Sequence, residues 1–265
     1  MKIIIPVKQV PETRSVKMDE KTGRVIREGV ESIINPLDLY AVETALQIQE
    51  QIGGETIAIS MGPAKAVEAI KEALSMGIDR GILISDRAFG GSDTRASSHI
   101  LAEAVKKLAG ADLIICGERA TDGDTGQVGP GMAAWLNLPV LSYVNKLVTV
   151  TDSSCTVHRL TEEGEEVSSC NFPLLITVVK EVSNPRLPTL RGKKRAKQME
   201  IPVWSNKELH LDISSIGLKG SPTRVAGIFH PEAGRLCERV SAVDDAEIRT
   251  AGERFISFLR ERNLI

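Results

Sequence analysis

The sequence predicts an α/β protein built on a doubly wound, mostly parallel sheet with an antiparallel extension and a C-terminal arm. Three observations lead there. Short β-branched runs of four or five residues (IIIPV, TIAIS, GILIS, LIIC) recur through the first half of the chain. Stretches with apolar residues at helical spacing separate them, and Gly or Pro marks each passage from one to the next. Strands alternating with longer helices mean βαβ units, whose right-handed crossovers place helices on both faces of one sheet. Of the 265 residues 42% are hydrophobic but only 3% aromatic, so the core must be built from Ala, Val, Ile and Leu.

The first strand is Ile3–Val7, apolar on both faces as a central parallel strand is. Residues 16–30 alternate around Lys21-Thr22-Gly23 and predict an exposed hairpin. Asn35-Pro36 opens a helix, with Asn as N-cap and Pro in the first turn; Leu39, Val42 and Leu46 give its apolar face and Gly53-Gly54 stops it. Thr56–Ser60 is the second strand, and Ala66, Ala69, Ile70, Ala73 and Leu74 predict a helix ending at Gly77. Gly81–Ser85 is the third strand, followed by a helix that begins near Asp93 and carries Ala96, Ile100, Ala104 and Val105. Leu113–Cys116 is the fourth, followed by a Gly-rich turn and a helix around 129–136.

After Pro139 the pattern changes. Residues 140–150 and 155–160 alternate, 162–166 read as a charged turn, and Leu174–Val179 is again a buried strand, so antiparallel pairing is expected here. Residues 183–203 hold Pro185, Pro188 and Pro202 and a basic run at 191–197, read as a solvated face or a recognition loop. Residues 204–240 have weak periodicity and many breakers, which suits a segment lying along a partner. Ser241 then caps a last helix with Ile248, Ala251, Phe255, Phe258 and Leu259 on one face. The expected division is 1–200 for the α/β body and 201–265 for the arm.

Charge and cysteine usage exclude several classes. With 33 basic against 35 acidic residues the net charge is −2, without the basic excess of a nucleic-acid protein. Four cysteines, at 116, 155, 170 and 237, form no CxxC and fit reduced thiols. The N-terminal apolar run is too short for a signal peptide, and no run reaches the ~18 residues of a membrane span. A cytoplasmic protein is expected.

Open parallel sheets bind ligands beyond the carboxyl ends of their strands. The turns there are Pro6–Lys8, Ser60–Gly62, Ser85–Asp93 and Gly117–Val128. The last is the most informative: residues 117–129 hold four glycines and two threonines directly before a helix. Glycines let a ligand approach the backbone and helix N-terminal amides favour anions, which fits a phosphate or diphosphate. The competing reading is a tight loop with an Asx-type cap. Neither GxGxxG after the first strand nor GxxxxGK[ST] occurs, which disfavours a conventional NAD site or a P-loop. Asp122 and Asp124 without further ligands are a weak metal signal. The four histidines lie in different elements, Cys116 ends a buried strand, and no nucleophile–base grouping can be read from spacing. No catalytic acid, base or nucleophile is expected, and no metal.

Several segments together resemble the beta subunit of electron-transfer flavoprotein: KIIIPVKQV at 2–10, INPLD at 34–38, SMGP at 60–63, DTRASS at 93–98, the 117–129 loop, NPRLPTL at 184–190 and the basic 193–197 stretch. The resemblance covers 1–200 well and the remainder less distinctively. It implies an adenine-nucleotide alpha hydrolase-like α/β fold, paired with a larger alpha subunit that carries the electron-transferring FAD. It implies nucleotide contacts at Pro6, Val7, Lys8, Asn35, Pro36, Leu37, Asp38, Ser60, Met61 and Gly62. In the loop it implies them at Gly117, Thr121, Asp122, Gly123, Asp124, Thr125, Gly126, Gln127 and Val128. A partner-recognition loop is implied at Leu190 and Arg191, and the C-terminal arm would pack on the alpha subunit.

Beta subunits of this family are of two kinds. Ordinary ones hold a structural AMP. Flavin-bifurcating ones hold a second FAD, take a hydride from NADH as a transient substrate, and send one electron to ferredoxin or flavodoxin and the other toward an acyl-CoA dehydrogenase or reductase. TDGDTGQV at 121–128 resembles the bifurcating version, because Val128 follows Gln127 where the AMP-type loop ends in Gln-Thr. The AMP-type reading stays open, as does whether the chain counts as an enzyme or as an electron carrier. A third reading, an ATP-binding α/β domain with an SGGxDS loop, is disfavoured because Gly90-Gly91-Ser92-Asp93 follows the third strand rather than the first.

Overall fold

The computed structural model describes residues 1–12, 17–18, 25–26, 32–224, 239–240 and 242–265. The chain opens with β1 (Lys2–Pro6) and a short strand β2 (Gln9–Pro11). Next come β3 (Lys17–Met18) and β4 (Val25–Ile26), which pair antiparallel as the hairpin reading expects; the turn at Lys21–Gly23 lies outside the described residues. Strand β5 (Ser32–Ile34) pairs antiparallel with β2 and leads into α1 (Pro36–Ile52). The βαβ succession follows: β6 (Glu55–Met61), α2 (Val67–Met76), β7 (Arg80–Ile84), α3 (Thr94–Lys107), β8 (Leu113–Gly117) and α4 (Val128–Leu136). The Asp93 carboxylate caps α3 by accepting from Ala96 N–H at 3.0 Å. Asn35 stands at the cap position of α1, yet its side chain makes no capping bond.

The next elements are β9 (Val140–Val150), β10 (Ser154–Thr161), β11 (Gly164–Asn171) and β12 (Leu174–Val178). They join the rest in one nine-stranded sheet of order β11-β10-β9-β12-β8-β1-β6-β7-β13, where β13 is Val203–Trp204. Pairings from β9 to β13 are parallel, while β10 and β11 add antiparallel strands at one edge. Strand β9 serves both kinds: Val140–Val144 run parallel to β12 and Val144–Val150 carry β10. The charged stretch read as a turn over 162–166 is a turn only at Glu162-Glu163. From Gly164 it is strand β11, exposed along most of its length and so without the alternation by which a half-buried strand is read.

Both faces of the sheet are buried. Ile3 and Ile5 of β1 face one side with α1, α2 and Ala196, while Ile4 faces the other with α3 and α4. Ala196 belongs to α5 (Leu190–Gln198), so the basic run is a helix rather than a loop, capped by Thr189 through Gly192 N–H at 2.9 Å. Its Arg195 Nη2 donates to the carbonyls of Leu74 and Ile78 at the end of α2, at 2.8 and 2.7 Å. The breaker-rich stretch beyond is not bare coil either. It holds α6 (Asn206–Leu209), closed by a Ser205–Glu208 capping box, and α7 (Gly217–Gly220).

The compact body runs from Met1 to Gly227, and residues 201–224, grouped with the arm from sequence, contribute β13 and α6–α7 to it. The second unit is Ile228–Ile265, whose described structure is the helix α8 (Asp245–Glu261). Its cap is Asp244, which accepts from Glu247 N–H at 2.8 Å; Ser241, the expected cap, lies outside the described residues. Among the described residues no helix is long and apolar enough to cross a membrane.

Candidate functional site

The chain fills the sheet outward from β1 to β6 and β7, then returns on β1's other side with β8. The switch point therefore lies between β1 and β8, and the loops leaving their carboxyl ends flank it. Pro6–Lys8 leaves β1, residues 118–127 leave β8, and the start of α1 lies between them in contact with both.

One buried pair ties these segments together. Asp38, only 6% exposed, accepts from Lys8 N–H through Oδ2 at 2.7 Å and from Asn35 Nδ2 through Oδ1 at 2.9 Å. Asn35 is fully buried; its Nδ2 also donates to the Arg119 carbonyl at 2.9 Å, and its Oδ1 accepts from Thr121 N–H at 3.2 Å. The side chain expected to cap its own helix is thus spent across the switch point. Lys8 Nζ reaches Asp122 Oδ1 at 2.6 Å, a second tie between the same loops. Burial pushes the Asp38 carboxyl up to about 7, against the hydrogen bonds from Lys8 and Asn35 that favour its ionised form. Gly117 makes this packing possible: a Cβ there would lie 2.5 Å from Asp38 Oδ1 and 2.9 Å from the Leu37 carbonyl.

Beyond Thr121 the loop turns into α4. The N–H groups of Gly123 and Asp124 close back on the Ala120 carbonyl, and Asp124 takes the left-handed conformation with φ 53°. Its carboxylate meets Arg119 Nη1 at 3.0 Å. Gly126 is also left-handed, with φ 63°. The backbone N–H groups of Thr125, Gly126, Gln127, Val128 and Gly129 have no partner among the described residues, and the Gln127 side chain does not cap the helix. Five successive free donors at the N-terminus of α4 are the arrangement that receives an anion. Glycines at 129 and 131 let α4 lie close, since a Cβ would meet Thr177 of β12 at 2.8 Å and Ser98 of α3 at 2.6 Å.

The other predicted positions fall as follows. Val7 is buried, and its N–H is spent on the Ile59 carbonyl at 2.8 Å. Pro36 is exposed, and Pro6 and Leu37 are half-buried. Ser60 and Met61 end β6 next to β1 and Gly62 follows; Ser60 is fully buried and its hydroxyl has no partner among the described residues. Thr121 to Thr125 and Gln127 are exposed, Gly126 and Val128 half-buried. Leu190 and Arg191 lie far along the chain at the start of α5; Leu190 is 89% exposed and Leu187 before it 87%.

Sequence reasoning missed what holds that segment. Arg186 pairs with buried Glu43 through Nε at 2.8 Å and Nη2 at 3.0 Å, and with Glu50 through Nη1 and Nη2. Glu43 and Glu50 stand two turns apart on α1, a spacing that marks one helix face but names no partner. The Arg186 guanidinium holds the Glu43 carboxyl below its ordinary range despite burial.

His99, His158, Cys116 and Cys155 sit in local contacts, while His230 and Cys237 lie outside the described residues. His99 stacks on Trp135 at 4.3 Å, and His158 Nδ1 meets Glu165 at 2.9 Å. Burial pushes the Cys116 thiol well up, and that of Cys155 to about 11. Among the described residues no three His, Cys, Asp or Glu side chains converge as a metal site would need. A concavity of about 720 Å³ lies at the amino ends of β9 and β12, lined by neutral groups such as Asn137, Ser154, Thr156 and Ser169. It offers an anion nothing comparable to the free amides at the opposite edge.

A doubly wound parallel sheet with an anion-receptive loop at its switch point defines an α/β protein of the ligand-binding class. Comparison with known proteins sharpens this. The electron transfer flavoprotein domain matches residues 22–209. The chain is 42% identical over the whole of both sequences to a subunit of the caffeyl-CoA reductase-Etf complex, CarD, of Acetobacterium woodii. It is 40% identical, again over the whole of both, to the electron transfer flavoprotein subunit beta of Thermoanaerobacterium thermosaccharolyticum. It is also 40% identical to the protein FixA of Azorhizobium caulinodans, over 95% of this chain and 91% of that one. The chain belongs to the electron transfer flavoprotein family, with the beta subunits.

Proposed function

We propose that the chain is the beta subunit of a flavin-bifurcating electron transfer flavoprotein. In this reading it works in the cytoplasm with an alpha subunit, takes a hydride from NADH, and divides the two electrons. One goes to ferredoxin or flavodoxin; the other goes through the alpha-subunit FAD to an acyl-CoA dehydrogenase or reductase. The observation that carries the reading is the row of unpartnered amides at 125–129, in a loop whose Gln127 is followed by Val rather than Thr. Similarity to a subunit of a caffeyl-CoA reductase-Etf complex supports an acyl-CoA reductase as the terminal partner.

The residues present fit a dinucleotide. Free donors suit a diphosphate, and the aliphatic Val128 adds no hydroxyl donor of the kind a single terminal phosphate would use. The turn at Ser60–Gly62 and the start of α1 flank the space for an adenosine. When bound, the flavin supplies the redox chemistry, and the protein's part is position and electrostatics. The Asn35–Asp38 pair ties the two loops together, and the amides of 125–129 would hold the diphosphate at the N-terminal end of the α4 dipole. Leu187 and Leu190, exposed on a segment clamped by Arg186 at one end and Arg195 at the other, present an apolar tip for the acyl-CoA enzyme, and the arm beyond the body packs on the alpha subunit.

Gln127→Glu tests the loop. It is isosteric, sits at an exposed N-cap position, and puts one negative charge beside the proposed diphosphate. Occupancy of the beta-site nucleotide should fall roughly tenfold at low salt while the alpha flavin stays bound. Equal occupancy in variant and wild type would remove the loop from the site.

A further inference from the structure

Strand β9 carries an extra residue where it runs beside the carboxyl end of β12. Leu141 stands opposite Ile176 and Val144 opposite Val178, so Ser142 and Tyr143 together face Thr177. A bulge of this kind bends its strand and re-aims a side chain. Here Tyr143 takes the left-handed conformation, with φ 60°, which a bulky side chain rarely adopts. Thr177 holds it there: its Oγ1 accepts from Tyr143 N–H at 3.0 Å, while the next residue, Val144, is wholly buried in the core. Thr177 also lies against the first turn of α4, where a Cβ on Gly129 would come within 2.8 Å of its Cγ2. The bulge is therefore seated against the loop of free amides.

The side chain it carries reaches that loop. A Cβ on Gly126, in the middle of the row of free donors, would lie 3.6 Å from the Tyr143 hydroxyl. The residue is 44% exposed, and its hydroxyl has no hydrogen-bond partner among the described residues. Backbone held in a sparsely populated region persists only where its surroundings fix it, and such positions cluster at ligand sites. Merely solvating a phenol requires none of this.

We infer that Tyr143 is a further ligand-binding residue of the switch-point site, its hydroxyl donating to the phosphate group that the amides of 125–129 receive. The inference rests on the nucleotide-binding reading above.

The charges nearby leave that role open. Lys8 Nζ is closed on Asp122, and Arg119 on Glu118 and Asp124, so both loop cations already have carboxylate partners. The grip on an anion then falls to neutral donors, the row of amides and the hydroxyls beside it. A phenol suits such a site. Its O–H donates to a phosphate oxygen, and its rigid ring brings the donor across from a second strand with only two side-chain torsions to fix. The anion is then met from two elements, α4 and β9.

The test uses the complex with its alpha subunit, depleted of beta-site nucleotide and titrated calorimetrically with ADP, with inorganic pyrophosphate as a competitor. Tyr143→Phe keeps the ring and removes only the hydroxyl. It should bind ADP about tenfold more weakly, the loss expected for one hydrogen bond to a charged group, and pyrophosphate should lose the same factor. The thermal midpoint of the nucleotide-free complex should stay where it is in wild type, because the hydroxyl has no partner within the protein to lose. Equal ADP affinity in wild type and Tyr143→Phe would overturn the inference. So would a loss for ADP that pyrophosphate does not share, since the hydroxyl would then meet the nucleoside rather than the anion. A wild-type complex that binds none of ADP, FAD and AMP would overturn the nucleotide reading itself, and this inference with it.

Discussion

Replacing Asn35 by Asp keeps the shape of the side chain and reverses the sense of its two donated bonds. Nδ2 now serves the Asp38 carboxylate and the Arg119 carbonyl; an aspartate oxygen in its place faces an acceptor in both directions. Two full charges 2.9 Å apart at an effective dielectric of 20 repel by about 6 kcal/mol. The pair escapes by keeping one proton, as adjacent carboxylates do. In wild type the folded Asp38 titrates at about 7 against an ordinary 3.8, so the folded state holds the extra proton between those values and stability falls as pH rises through that window, then levels off above 7. In Asn35→Asp the shared proton is held to higher pH, so stability goes on falling above 7. The gap between wild type and variant should therefore widen by about 1.4 kcal/mol per pH unit from pH 7 to 9. Asn35→Ala adds no charge but removes a bond that favours the ionised Asp38, so it should cost about 2 kcal/mol above pH 7 from lost buried hydrogen bonds, and less below it. Denaturant titrations of the three proteins at pH 6, 7, 8 and 9 measure the gaps. A constant Asn35→Asp gap from 7 to 9 would show that the two side chains do not face each other in a buried site.

Other consequences are as specific. Gly117→Ala puts a methyl against the Leu37 backbone and Asp38 Oδ1, neither free to yield, and should cost about 1–3 kcal/mol in denaturant unfolding while lowering nucleotide content. Arg186→Ala strips buried Glu43 of its guanidinium and should cost about 2 kcal/mol at pH 7, read as a shift in unfolding midpoint. Because Arg186 lowers the Glu43 titration, that loss should shrink as pH falls below the ordinary value of 4.5. Leu190→Ala removes an exposed side chain, so stability should change by less than about 0.5 kcal/mol. Electron delivery to the acyl-CoA enzyme should need more of that partner to reach half its maximal rate, with NADH oxidation unaltered; equal losses in both assays would contradict a docking role.

The parallel core was legible because each strand there is apolar on both faces and each helix carries its own stop or cap, as at Asp93 and Gly77. The turns after those strands pointed to the site by topology alone. What stayed hidden depends on partners distant in sequence. Asn35 reads as an N-cap from its neighbours, but its bonds go to residues 119 and 121. Asp38 is one carboxylate among many until burial is known. Strand β11 is polar on both sides because it is an exposed edge, and α5 is masked by its basic residues and by the prolines before it, being held by Thr189 and by Ala196 packing on the core.

Under the proposed function this chain carries a flavin of its own rather than an AMP. Counting flavin and AMP released from the gently purified complex with the alpha subunit measures it directly. Two flavins per heterodimer, with no stoichiometric AMP, is the result the account predicts. One flavin with one AMP would contradict it and make the chain a beta subunit of the non-bifurcating kind.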